Sequence, residues 1–143
     1  MSRLPLFALG LMLAAGPSAA LAQDMTVWHS PTCGCCHLWA RHVEAAGFRI
    51  KLNDVQNVTP IKRTLGVRPG LESCHTARIE GYTIEGHVPA RDIRRLLAER
   101  HDAVGLSVPG MPSSAPGMDV GAEPYQVLLM RRDGSAEVFA RYN

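Results

Sequence analysis

Along the chain, apolar and polar positions fall into short blocks whose period alternates between that of a strand and that of a helix. Met25 to His29 is β-prone around Val27 and Trp28, and Ser30-Pro31-Thr32 interrupts it. Trp39, Val43 and Ala46 recur at helical spacing, predicting a helix from about Cys35 to Ala46 that stops at Gly47. Phe48, Ile50 and Leu52 alternate with Arg49, Lys51 and Asn53, the pattern of a half-buried strand. Thr59 as N-cap and Pro60 at the first helical position open a short helix through Ile61 and Leu65, closed by Gly66.

After a turn at Arg68-Pro69-Gly70, Leu71 to His75 leads into two predicted strands, Thr76–Ile79 and Tyr82–Glu85, joined around Glu80-Gly81. Pro89 marks another helix start, with Ile93, Leu96 and Leu97 as its apolar stripe and an end near Arg100. Residues 101–124, rich in glycine, proline and methionine, read as one long loop. Tyr125–Met130 and Ala136–Tyr142 close the chain as a hairpin around Asp133-Gly134. There is no internal repeat. The order β-α-β-α-β-β-α, then a loop and a hairpin, predicts an α/β fold with a thioredoxin-like core.

In such a core the active site sits at the start of the first helix, where this chain crowds three of its four cysteines into Cys33-Gly34-Cys35-Cys36. Cys33 and Cys36 have the spacing of a redox dithiol. Unpaired amides and the positive dipole end of the helix favour thiolate there, the form that attacks disulfides and binds metals. A disulfide enzyme needs two thiols, and a third invites scrambled pairs. A soft ion gains from each added thiolate, so Cys35 tilts the reading toward metal. Cu(I) suits crowded sulfur and low coordination numbers, whereas zinc would require a closed tetrahedron completed by Cys74 or a histidine.

Cys74, in Ser73-Cys74-His75-Thr76, lies just ahead of the third strand, whose entry approaches the first helix in a thioredoxin-like core. It is expected to join the other three. Weaker candidates are His75, His29 and His37, together with Met111 and Met118, whose thioethers suit Cu(I) and whose loop reads as a lid. His87 reads as structural, His42 and His101 as surface residues, and Trp28 and Trp39 as core.

The ends and the charge balance set the compartment and exclude several partners. Arg3, the apolar run Leu4–Ala15, the break at Gly16-Pro17 and Ala20-Leu21-Ala22 form a signal-peptide pattern, with cleavage expected after Ala22. The predicted organisation is therefore a leader over residues 1–22 and a single domain over 23–143, with no stable membrane span after cleavage. Net charge is only +2 with both signs interspersed, and no basic stripe points to nucleic acid. Export makes disulfides permissible, and four cysteines allow three pairings.

The segments Ser30-Pro-Thr-Cys-Gly-Cys-Cys36, Ser73-Cys-His-Thr76, Gly81-Tyr82, Glu85-Gly-His-Val-Pro89, Val108-Pro-Gly-Met-Pro112 and Pro116-Gly-Met118 together resemble one family. It is the CopG-type group of periplasmic, thioredoxin-like proteins associated with copper resistance. The resemblance covers essentially the whole chain after the leader. It implies Cu(I) held through cysteine sulfur, as a polynuclear cluster in one form, with Cys33, Cys35, Cys36 and Cys74 as ligands. It also implies a copper redox role and contact with other periplasmic copper-handling proteins. Two departures stand out: His29 occupies a position where a lysine is expected, and Pro112-Ser-Ser-Ala-Pro116 is looser than the family's glycine-containing loop.

Three functions compete at this level. The first is a Cu(I)-binding protein, acting by sequestration or by redox cycling. The second is a thiol-disulfide oxidoreductase using Cys33 and Cys36. The third is a zinc-stabilised interaction module without chemistry. Ser73-Cys74-His75 occupies the place where disulfide enzymes of this fold carry a proline, which counts against the second.

Overall fold

The structure, a computed structural model, describes residues 22–143. The predicted leader, apart from Ala22, lies outside the described residues. The expected core elements are present in order: β1 (Asp24–His29), α1 (Gly34–Ala45), β2 (Arg49–Asp54), α2 (Thr59–Thr64), β3 (Thr76–Ile79), β4 (Tyr82–Glu85) and α3 (Ala90–Glu99). β5 (Gly105–Ser107), β6 (Tyr125–Met130) and β7 (Ala136–Tyr142) follow. All seven strands form one sheet in the order β2-β1-β3-β4-β5-β6-β7. β1 runs parallel to β2 and antiparallel to β3, and β3 antiparallel to β4, which is the thioredoxin-like half.

The expectation of an uninterrupted loop over 101–124 is corrected by β5. This fully buried three-residue strand pairs in parallel with β4 and antiparallel with β6, welding the hairpin β6–β7 to the core sheet. Three residues of Gly-Leu-Ser carry no readable period, so the strand exists through its neighbours rather than its own pattern. Gly105 is required by close approach: a Cβ there would lie 1.7 Å from the carbonyl oxygen of Thr83. Two smaller corrections concern α2 and β2. Val58, not Thr59, is the N-cap of α2, and Asn57 Oδ1 accepts the Thr59 N–H at 3.0 Å in place of a threonine cap. β2 is an edge strand whose Leu52 is exposed, so its alternation buries less than predicted.

The two faces of the sheet differ in chemistry, and the register explains why. Ala77 pairs with Ile84 and Ile79 with Tyr82, so these four residues share a face with Met25 and Val27 of β1. Trp39 and Val43 of α1 and Ile93, Leu96 and Leu97 of α3 complete that apolar core. Trp39 is wholly buried and donates its indole N–H to the Val88 carbonyl at 2.9 Å, tying α1 to the approach of α3. The opposite face carries Thr76, Thr83 and Glu85, all fully buried under α2. Trp28, expected in the core, is half-buried on this second face against Pro60, Ile61 and Leu65.

His42, read as a surface residue, is exposed but caps α3. Pro89 is the N-cap residue and offers no side-chain bond, and His42 Nε2 accepts the Ala90 N–H at 3.2 Å. Desolvation holds the His42 imidazole below its ordinary pKa, opposed by the Asp119 charge. The folded pKa lies below the unfolded one, so its stabilising contribution is present above the ordinary imidazole pKa and lost as pH falls through the lowered folded pKa.

Two outcomes follow for stability. Gly105→Ala is expected to cost about 3 kcal/mol or more in denaturant unfolding, because Thr83 is backbone and cannot yield. His42→Ala should cost about 1 kcal/mol at neutral pH and much less on acidification, since the protonated ring has already lost the cap. A His42→Ala deficit that grows on acidification would contradict the capping role.

Candidate metal centre

The turn Ser30-Pro31-Thr32-Cys33, closed by the Cys33 N–H on the Ser30 carbonyl at 3.0 Å, delivers the chain from β1 into α1. Cys33 is the N-cap, without a side-chain cap bond, and the first turn of α1 contains no acidic residue. The free amides and the dipole end of α1 therefore face sulfur rather than carboxylate. On the other side, β3 pairs with β1 through Trp28↔Thr76, which brings the preceding residues, Ser73 to His75, against the same helix start.

The sulfur atoms of Cys33, Cys35, Cys36 and Cys74 lie within 4.8 Å of one another. A disulfide joins Cys33 to Cys36. Cys35 Sγ is 3.5 Å from Cys33 Sγ, and Cys74 Sγ is 3.6 Å from Cys36 Sγ, so each disulfide sulfur has a free thiol beside it. The structure thus holds an oxidised form in which two of the four sulfurs are withdrawn from metal binding.

A second donor group overlaps the first. Cys74 Sγ is 3.1 Å from His87 Nε2 and 3.3 Å from His75 Nδ1, and one ligand atom from each of the three residues falls within the same 4.8 Å limit. Both rings are fully buried. His87 Nδ1 donates to the Pro116 carbonyl at 2.8 Å, which leaves its Nε2 with a lone pair directed at Cys74. Burial pushes the Cys74 thiol up to about 12, aided by the nearby charge of Cys35 and opposed by the Ser73 hydroxyl. Cys74 is accordingly protonated at neutral pH and donates to His87. His75 then donates from Nδ1 to sulfur, leaving its buried Nε2 without a partner.

Burial holds both imidazoles below their ordinary pKa, His75 well below, with the charges of His87, Lys62 and His29 adding to the effect there. Neutral imidazole is the ligating form. Crowded sulfur and two neutral imidazoles make a donor set that fits a soft cation, whose charge would displace the thiol proton.

The remaining candidates are more peripheral. His29 is buried and donates from Nδ1 to the Ser30 carbonyl at 2.8 Å; its Nε2 makes no hydrogen bond, with Asp54 Oδ1 3.4 Å away. His37 is half-buried, its ring edge-on to His29 at 4.8 Å. Neither belongs to a donor group among the described residues. Met111 is 54% exposed, while Met118 is half-buried. Met118 follows a pinned stretch: a Cβ on Gly117 would lie 2.5 Å from Trp39 N, Pro116 receives His87, and Ala115 is fully buried. The loop read as a lid is thus a fixed wall beside α1 in its 115–117 stretch.

His87 was missed as a candidate because its thirteen-residue separation from Cys74 has no motif spacing. Only the antiparallel return of β3 into β4, with the Gly86 N–H on the His75 carbonyl at 3.1 Å, brings the two together.

Known proteins agree with this architecture. A family model described as a protein of unknown function, DUF411, matches residues 71–118, which include Cys74, His75, His87 and both loop methionines. No curated protein matches. Two solved forms of a copper resistance protein, CopG, are each 43% identical to this chain and cover 85% of it. Their TM-scores are 0.81 and 0.80, and the match spans 99% and 98% of the solved chains. The chain belongs to the CopG-type copper-resistance family, and its fold is the thioredoxin-like α/β fold of that family.

The cysteine arrangement has a direct chemical check. Oxidised protein, unfolded before reaction with a chromogenic thiol reagent, should show two thiols per chain and four after reduction. In the folded oxidised protein, Cys74 should react about tenfold or more slowly than an unperturbed thiol at mildly alkaline pH, because its pKa is raised. Peptide mapping that pairs Cys35 or Cys74 in a disulfide would contradict the arrangement.

Proposed function

We propose that this chain is an exported copper-binding protein that holds Cu(I) through Cys33, Cys35, Cys36 and Cys74 in copper resistance. The observation that carries the reading is the gathering of four sulfurs from two distant segments at one helix start, with His75 and His87 behind Cys74. Membership of a copper-resistance family supports copper over zinc, and so does the crowding of thiolates beyond what a disulfide exchanger uses. In this reading residues 1–22 are a cleaved leader, the domain is 23–143, and the protein works in the periplasm. It receives copper from, or passes it to, other copper-handling proteins there. Among the described residues no helix is long and apolar enough to cross a membrane.

Reduction of the Cys33–Cys36 disulfide by two electrons and two protons frees both sulfurs, so copper loading and the oxidation state of the site compete. On this reading copper redox cycling uses the same sulfurs. The disulfide also favours a second reading, thiol-disulfide exchange through Cys33 and Cys36.

Anaerobic titration of the reduced mature protein with Cu(I) and, separately, Zn(II) distinguishes these readings. The expected result is tight Cu(I) binding, loss of at least part of the bound copper in Cys35→Ser, and clearly weaker binding by the oxidised form. One tight zinc with negligible copper would overturn the reading. Disulfide-reductase activity that survives Cys35→Ser and Cys74→Ser but vanishes in Cys33→Ser would favour the exchanger.

A further inference from the structure

Beneath the Cys74 segment, on the α2 side of the sheet, lies an ion pair shielded from solvent. Glu85 is wholly buried and Lys62 is 5% exposed. Lys62 Nζ donates to Glu85 Oε1 at 2.5 Å and to Thr76 Oγ1 at 2.8 Å. Glu85 Oε1 also accepts the backbone N–H of Ser73 at 2.6 Å, and Oε2 accepts the Thr76 hydroxyl at 2.5 Å. A single carboxylate therefore grips the residue before Cys74 and the residue after His75. Ser73 is fixed a second time by its hydroxyl, which donates to the Gly110 carbonyl at 2.5 Å.

A buried ion pair contributes little net stability, because desolvation of both charges offsets their attraction, and apolar replacements of similar volume are often neutral. Stability thus gives a weak reason for placing a lysine and a glutamate here. Their geometry gives a better one. Cys74 and His75 sit on a loop ahead of β3 whose backbone is tied to the β4 side by the Gly86 N–H on the His75 carbonyl, and a looser loop would have to be ordered by the metal at a cost in affinity.

We propose that Lys62 and Glu85, with Thr76, are positioning residues for the Cys74-His75 donor segment. They hold it in its metal-ready geometry before any ion arrives. The carboxylate acts through the Ser73 amide and the Thr76 hydroxyl, and Lys62 neutralises the charge that this task buries. The proposal rests on Cys74 being a copper ligand, but the rigidity it assigns is measurable without metal.

Three variants of the mature protein test it. Lys62→Met with Glu85→Leu removes both charges and the clamp. Lys62→Met with Glu85→Gln removes the charges but keeps an acceptor for Ser73 N–H and an amide donor for Thr76. Thr76→Val removes only the hydroxyl, and serves if the first variant fails to fold. In metal-free oxidised protein carrying Cys35→Ser, Cys74 is the one free thiol. Its alkylation should accelerate about tenfold in the leucine variant and return toward the parent rate in the glutamine variant. Thr76→Val should raise the rate by a smaller factor.

In reduced protein, Cu(I) affinity read by competition with a chromogenic chelator should fall about tenfold in the leucine variant and recover in the glutamine variant. With Cys74→Ser added, the same pair of changes should leave Cu(I) affinity alone. Unchanged Cys74 alkylation in the leucine variant, or in Thr76→Val if that is the one that folds, would overturn the proposal. An equal loss of Cu(I) affinity with Cys74→Ser present would overturn it too. Failure of the parent protein to bind Cu(I) would instead sink the functional reading and leave the alkylation comparison to decide this one.

Discussion

The antiparallel pairing of β3 with β1 is the constraint on which the site depends. It runs through Thr26↔Arg78, Val27↔Ala77 and Trp28↔Thr76, so the start of β3 lies beside the end of β1. β1 leads directly into the cysteine turn, and the residues ahead of β3 carry Cys74. Once the register is set by Val27 and Ala77 facing the apolar core, both sulfur-bearing segments must meet at the same helix start. A slip of one residue would turn Val27 and Ala77 out of that core, so hydrophobic burial enforces the geometry of the sulfurs.

The two faces of the sheet then divide the labour. One face buries Trp39, Val43, Ile93 and Leu96 and supplies the bulk of the packing. The other buries Thr76, Thr83 and Glu85 beneath a six-residue helix, a polar arrangement a purely packed core would not require. The polar face stands directly behind the Cys74 segment and the apolar face beneath α1. The site therefore sits over a junction of two kinds of support, one fixed by packing and the other by directed hydrogen bonds. The C-terminal strands extend this frame: β5 joins the sheet at β4, and the loop leaving it returns along α1 to meet His87 through Pro116.

The electrostatics of the site oppose ionisation in the absence of a cation. Cys74, half-buried, is held as a thiol and the buried His75 and His87 as neutral rings, so the donor set stores no charge of its own around that sulfur. Cys33 and Cys36 likewise carry none while they are joined. An incoming soft cation would supply the charge that makes the thiolate favourable, which links occupancy to proton release. On the proposed reading, the disulfide would link occupancy to electrons as well.

Much of this was written in the chain itself. Periodicity marks β1, α1, β3, β4, α3 and the terminal hairpin, because each is long enough, or bounded by clear enough turns, for one face to show. Cys33-Gly34-Cys35-Cys36 announces sulfur chemistry through adjacency alone, and the ordered motifs around it identify the family. Tertiary structure decided what adjacency cannot express. β5 is too short to show a period, and Gly105 is explained only by the Thr83 carbonyl above it. His87 stands thirteen residues from Cys74 and reaches it only through the β3–β4 return. Lys62 and Glu85 look like ordinary surface charges in the sequence, since desolvation belongs to the folded molecule and leaves no mark on local pattern. Residue type fixed which chemistry was available, and the sheet register decided which atoms could share it.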